Sequence, residues 1–149
     1  MERNRNSQSV EERIARAGQI LRRAGLRKTD GRCAILEVFM EPNQEPMTQQ
    51  ELSERVKSSG LNGVSIYRAL DALVRAKILH RIETGEKATR YAMCLCQEQE
   101  HCHPHFVCRL CGRVECLKSL RMPDVSAPAP GYKVDGQEYY LRGVCKDCS

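Results

Sequence analysis

The chain has 149 residues, with 24 Lys and Arg against 19 Asp and Glu and nine cysteines, a length that suits one compact domain or two small ones, the smaller needing a staple such as a metal ion. No run of about 18 apolar residues occurs, and Met1-Glu2-Arg3-Asn4-Arg5-Asn6 lacks the apolar core of a signal peptide. These features exclude a membrane-spanning reading and predict a cytoplasmic protein, where reducing conditions favour metal ligation by cysteine over disulfides.

Charge is placed unevenly. Residues 1–90 carry 17 basic and 12 acidic side chains, net +5, whereas residues 91–149 carry 7 of each. A basic front favours polyanions, although a charge this small is equally common in proteins that bind nothing charged.

From about Val10 to Ala24, Ile14, Ala17, Gly18 and Leu21 recur at helical spacing between arginines. Thr29 or Asp30 can cap a second helix, in which Ile35, Leu36 and Phe39 share a side before Pro42 ends the pattern; Cys33 within it reads as a small buried residue. Thr48-Gln49-Gln50-Glu51 is a capping box, with Met47 and Leu52 at the positions of a hydrophobic staple, so a helix starts at Thr48 and runs to about Ser58 before Gly60. Asn62 caps a fourth helix, from about Gly63 to Lys77. Ile66, Ala69, Leu70, Leu73 and Lys77 fall on one side of it and Ser65, Arg68, Asp71 and Arg75 on the other. Helix, turn and helix, with serine and arginine near the second start, is how a helix-turn-helix meets a major groove; an ordinary solvated helix face fits the same pattern equally. Ile78 to Glu83 and Thr89 to Met93 read as two strands joined through Thr84-Gly85-Glu86-Lys87, a wing. The front is therefore expected to be a winged-helix domain over residues 1–90.

The back, residues 91–149, is organised around His101-Cys102-His103-Pro104-His105-Phe106-Val107-Cys108-Arg109-Leu110-Cys111-Gly112. Cys108 and Cys111 form a Cys-x-x-Cys pair, and Cys145 and Cys148 a second one. Four thiolates suit a closed, structural tetrahedral zinc site. The 33 residues between Cys111 and Cys145 exceed the gap of about 15–20 in a compact zinc ribbon, so the metal is expected to clip the chain end onto a sheet. His101, His103 and His105 recur every second residue, which on a strand places three imidazoles on one face for a second metal. Phe106 to Leu117 reads as two strands around the cysteine turn and Tyr139 to Leu141 as another, with a loop through Pro123, Pro128, Pro130 and Gly131 between them.

Taken together, the two cysteine pairs, the His-x-His before the first and Ser65-Ile66-Tyr67-Arg68 on the fourth helix resemble the ferric uptake regulator family, most of all its zinc uptake regulators. The likeness runs from about Gly25 to Cys148. It implies an α+β protein, with an N-terminal winged helix-turn-helix domain and a small zinc-stapled α/β dimerisation domain. It also implies a zinc-responsive repressor that binds AT-rich inverted repeats of double-stranded DNA as a homodimer when its regulatory zinc site is filled. By position, Ser65, Tyr67 and Arg68 match the DNA-contacting residues, and Arg27 or Lys28 a basic residue that approaches the minor groove. Cys108, Cys111, Cys145 and Cys148 match the structural zinc ligands. His80, Cys94, His103 and His105 match the regulatory zinc ligands at the hinge, with His101 and Cys96 as substitutes and Cys116 a more distant one. Pro104 and Gln137 stand where some relatives carry ligands of a third site, which is expected to be absent, and the proline-bearing loop replaces the family's long dimerisation helix.

Three other readings compete. An iron- or peroxide-responsive regulator would share the fold. A zinc-ribbon interaction module would keep the four cysteines without needing Tyr67 and Arg68. A zinc hydrolase or deaminase needs His-Glu-x-x-His or His-x-Glu, and neither occurs around His101. No organic cofactor or catalytic activity is expected.

Overall fold

The computed structural model describes residues 9–42, 44–83, 89–93, 103–123, 125, 127–135 and 137–149. They fall in two compact units, Met1–Met93 and Cys94–Ser149. The division lies just beyond residue 90, because the second wing strand continues to Met93. The chain is α+β, and no helix among the described residues is long and apolar enough to cross a membrane.

The first unit opens with α1 (Val10–Arg23). Its start is fixed by a capping box not recognised in the sequence, in which the Ser9 hydroxyl accepts from the Glu12 N–H and the Glu12 carboxylate accepts from the Ser9 N–H. Ala17, Gly18 and Leu21 are buried, whereas Ile14, expected beside them, is 39% exposed because only the second half of the helix meets the core. Thr29, not Asp30, caps α2 (Asp30–Phe39) by accepting from the Arg32 N–H. Cys33 is buried on this helix, as expected, and burial pushes its thiol up.

The capping box at Thr48 forms as the sequence predicts, opening α3 (Gln49–Arg55) directly after the two-residue strand β1 (Met47–Thr48). The helix is shorter than expected. Its last turn tightens into a 3-10 turn at Lys57–Ser59, and Gly60 at φ 73° then reverses the chain. Asn62 caps α4 (Gly63–Arg75), and the Gln49 side-chain amide donates to the Gly63 carbonyl at 3.1 Å, fixing the two helix starts together. Leu21, Ile35, Leu36, Leu52, Ile66, Leu70 and Leu73 are fully buried and form the common core of the four helices.

Lys77 does not prolong α4. It is exposed at φ 57°, the left-handed C′ position of a Schellman motif: its N–H donates to the Val74 carbonyl, the Ile78 N–H donates to Leu73, and Ile78 and Leu73 are buried in the same core. Gly25 fills the equivalent position after α1. A side chain in this conformation is strained where glycine is not, so Lys77→Gly is expected to raise the stability of the first unit by about 0.5–1 kcal/mol. Chemical denaturation of the two proteins measures this, and a lower midpoint for the glycine variant would contradict it.

The wing strands β2 (Leu79–Ile82) and β3 (Arg90–Met93) pair antiparallel, and β1 completes the sheet in the order β1-β3-β2. Two ion pairs brace it. The Arg90 guanidinium donates to the Glu51 carboxylate at 3.1 Å and to the Pro46 carbonyl, while Arg81 reaches Asp71 on α4 at 3.2 Å.

The second unit is built on β4 (His105–Cys108), with β5 (Val114–Cys116) antiparallel on one side and β6 (Tyr140–Gly143) parallel on the other. Strand β6 runs two residues past the expected Leu141, because the Arg109 N–H goes on to the Gly143 carbonyl at 2.8 Å. Strand β5 ends at Cys116 and β6 begins at Tyr140, both paired with His105, so the connection between them leaves and returns at one end of β4. The proline-bearing segment supplies it, and its described residues hold turns but no helix. The Tyr139 hydroxyl donates to the Pro123 carbonyl, and the Gln137 side-chain oxygen accepts from the Val125 N–H, so the connection is tied together near its return.

Candidate metal centre and nucleic-acid interface

Cys108 ends β4 and Cys111 lies in the turn that follows. Gly112 at φ 74° lets this turn close, its N–H donating to the Cys108 carbonyl at 2.9 Å. Cys145 follows β6, and the Cys148 N–H returns to the Cys145 carbonyl at 3.0 Å, a second tight turn. The strand pairing of β4 with β6 brings the two turns together. The four sulfurs lie within 4.8 Å of one another, that of Cys111 3.8 Å from that of Cys145, and none is disulfide-bonded.

A tetrahedron of Zn–S bonds of about 2.3 Å has edges of about 3.8 Å, so the spacing fits zinc. The electrostatics fit too. The Cys108 thiol is held down at about 6, chiefly by backbone amides: those of Cys111 and of Cys145, the latter 3.4 Å from the sulfur. Cys148 is pushed up to about 12 by the hydrogen bonds it shares with Cys145 and Cys111. Amides thus stabilise one thiolate while the crowded last thiol resists ionisation, a conflict that a central dication resolves.

A second group lies at the other end of the same hairpin. His105 and Cys116 are direct cross-strand partners, and the His103 ring centroid is 5.1 Å from that of His105. The donor atoms of His103, His105 and Cys116 lie within 4.8 Å of one another. His105 is 4% exposed and packs beside Tyr140, with ring centroids 5.9 Å apart. Burial pushes the Cys116 thiol up to about 11, despite the nearby Lys118. Of the other expected ligands, His80 lies on β2 of the first unit, half-buried and opposite Ala92. Cys94, Cys96, His101 and Cys102 fall outside the described residues. Pro104 is buried and Gln137 is engaged by Val125 and Tyr139.

In the first unit Ser65, Tyr67 and Arg68 all lie on the exposed side of α4, and Tyr67 is 52% exposed. Arg68 has no carboxylate partner among the described residues, whereas Arg75 and Arg81 both grip Asp71, at 3.0 and 3.2 Å. The uncompensated charge of this face therefore sits in the first half of the helix. Beside it Val64 is 61% exposed, an apolar surface residue that the polar-face reading overlooked. Tyr67 borders a shallow groove lined by Thr48, Gln49, Ser53, Thr89 and Tyr91. Arg27 and Lys28 are exposed ahead of α2; the Arg27 carbonyl accepts from Arg32, and the Lys28 stem lies over Gly18, whose added Cβ would come within 3.3 Å of it.

The model of the ferric uptake regulator family matches residues 23–136. The ferric uptake regulation protein of Neisseria gonorrhoeae is 31% identical over 86% of this chain and 90% of its own. Among solved structures, the fold is similar to a zinc uptake regulator complexed with zinc and DNA (TM-score 0.68, 21% identity, 95% of this chain and 96% of that one). It is also similar to the Vibrio cholerae ferric uptake regulator (TM-score 0.62, 25% identity, 86% and 98%). With the family model spanning most of the chain and a relative above 30% identity along nearly its whole length, the chain belongs to the ferric uptake regulator family.

Proposed function

We propose that the protein is a zinc-responsive transcriptional repressor, a cytoplasmic homodimer that binds an AT-rich inverted repeat of double-stranded DNA when its regulatory zinc site is filled. The observation that carries this reading is the donor chemistry of the second unit. Among the described residues both of its clusters present sulfur and imidazole nitrogen there, the set that suits zinc, whereas iron(II) and manganese(II) favour oxygen. Cys108, Cys111, Cys145 and Cys148 hold a structural ion that closes the sheet. His103 and His105 contribute to the regulatory ion, and family likeness adds His80 and Cys94 to them. A ligand set drawn from both units makes their relative orientation depend on the metal, and DNA affinity with it. Ser65, Tyr67 and Arg68 read the groove, with Arg27 and Lys28 on the backbone. The protein binds and does not catalyse.

Relatives named for ferric uptake favour one second reading, an iron(II) regulator of the same fold. A duplex selected from a random library with the zinc-loaded protein, titrated at buffered free metal under strict reduction, separates the two. Zinc is expected to switch binding on at a free concentration at least about 100-fold below that needed for iron(II). Activation by iron(II) at the lower concentration would transfer the assignment to iron.

A further inference from the structure

We propose that Val64 reads the 5-methyl group of a thymine in the major groove, which makes it a specificity-determining residue of the operator contact. The proposal rests on the DNA-binding reading above and deepens it by naming a base.

Val64 is the second residue of α4, and at 61% it is the most exposed large apolar side chain among the described residues of the first unit. At about 100° per residue it points away from Ile66, Leu70 and Leu73, the residues that α4 buries, so no side-chain rotation carries it into the core. Its neighbours on the outer face are Tyr67 and Arg68, three and four residues on, and both are exposed. An isopropyl group, a phenol and a guanidinium thus form one row. Val64 stands at the end of that row nearest the helix start, the part of a recognition helix that meets base edges.

The fold itself gains nothing from valine at this position. A β-branched side chain disfavours helix, and the first turn of a helix favours an acidic residue through its peptide dipoles. Glu11 and Glu12, Asp30 and Glu51 take such places on α1, α2 and α3, whereas the first turn of α4 carries no acid. A polyanion therefore approaches Val64 without a carboxylate of that turn in its way.

The chemistry of the groove selects the occupant. Of the four bases, thymine alone presents an apolar group in the major groove. Valine in a helix holds chiefly one χ1 rotamer, so its methyl groups have a fixed direction and give up little freedom on contact. Val64 and Arg68 are separated by about 6 Å along the helix axis, or about two base-pair steps. A base read by Arg68 and the thymine read by Val64 accordingly lie about two steps apart.

The test uses the full zinc-loaded chain and the duplex selected with it, each thymine being replaced in turn, in both half-sites, by deoxyuridine, which lacks only the methyl group. At one position the wild type is expected to bind about fourfold more weakly per half-site, about 15-fold for the two together. Val64→Ala should bind the thymine duplex about as weakly as the wild type binds the deoxyuridine one, and should no longer distinguish the two at that position. Its response to zinc and its sensitivity at other thymines should stay as in the wild type. The side chain is exposed and alanine is the stronger helix former, so this variant keeps the fold. Val64→Ile, which retains a β-branched apolar side chain, should restore the preference for thymine. A wild type indifferent to deoxyuridine at every position, or a Val64→Ala protein that keeps the wild-type discrimination throughout, overturns the assignment and leaves zinc-dependent DNA binding standing. A wild type that selects no duplex in the presence of zinc overturns the DNA-binding reading itself, and this proposal with it.

Discussion

Cys111→Ser is expected to release the zinc of the four-cysteine site and unfold the second unit while the first stays folded. Among the described residues the apolar core of the second unit is thin: Val107, Val114 and Pro104 are buried, with Cys108 and Cys145 themselves supplying much of the remaining buried surface. The ion pairs from Arg113 to Asp147 and Glu115, each partly exposed, contribute at most about 1 kcal/mol each. A structural zinc contributes roughly 10–16 kcal/mol of apparent binding free energy, so its loss outweighs everything else that holds β4, β5 and β6. The first unit has a separate core on α1 to α4 that contains none of the four ligands. Hydrogen exchange resolved along the chain should show protection lost in residues 105–116 and 140–143 and kept in α2 and α4. Metal analysis should show the structural zinc gone, and sedimentation should show a monomer. A Cys111→Ser protein with full zinc content and unchanged sedimentation would mean that the cluster is not what holds this unit.

The sequence made both units legible in part. Two Cys-x-x-Cys pairs are unusual enough to announce a cluster, and the helix caps at Thr48 and Asn62 follow from side-chain chemistry that acts within three residues. What escaped were features set by pairing between distant residues. Strand β6 joins β4 in parallel after a long connection from β5, and no local pattern marks its register. Cys116 is only a distant candidate in the sequence for a different reason. Periodicity along one strand highlights His101, His103 and His105, whereas Cys116 lies opposite His105 only across the hairpin. Lys77 was assigned to the buried stripe of α4 because its spacing is right, yet the helix had already ended in a left-handed cap that glycine usually marks and lysine does not. The polar face of α4 was correctly placed, but its electrostatics were not readable from spacing. Arg75 and Arg68 are equivalent by spacing, yet Asp71 grips Arg75 and Arg81.

That asymmetry shapes the expectation for DNA binding. Arg68 carries an uncompensated charge on the exposed face of α4, nearly two turns in from the Asn62 cap and beside Tyr67. An arginine bidentate to guanine or clamped on phosphate contributes about 1–3 kcal/mol, so Arg68→Ala is expected to weaken binding of the selected duplex about tenfold or more at fixed salt and saturating zinc. Arg75→Ala is expected to cost less, because Asp71 already offsets its charge and retains Arg81 when Arg75 is gone. The salt dependence separates the two modes of contact. If Arg68 reads a base, the variant loses affinity for the selected duplex while binding to random duplex falls little and the slope of log affinity against log salt barely changes; if it clamps a phosphate, both duplexes weaken and the slope falls by about one. Fluorescence anisotropy with both duplexes over a salt series measures all of these. An Arg68→Ala protein that binds the selected duplex as tightly as wild type, with Arg75→Ala impaired, would move the contact surface to the far end of α4, and with it the groove-facing role assigned to Ser65 and Tyr67.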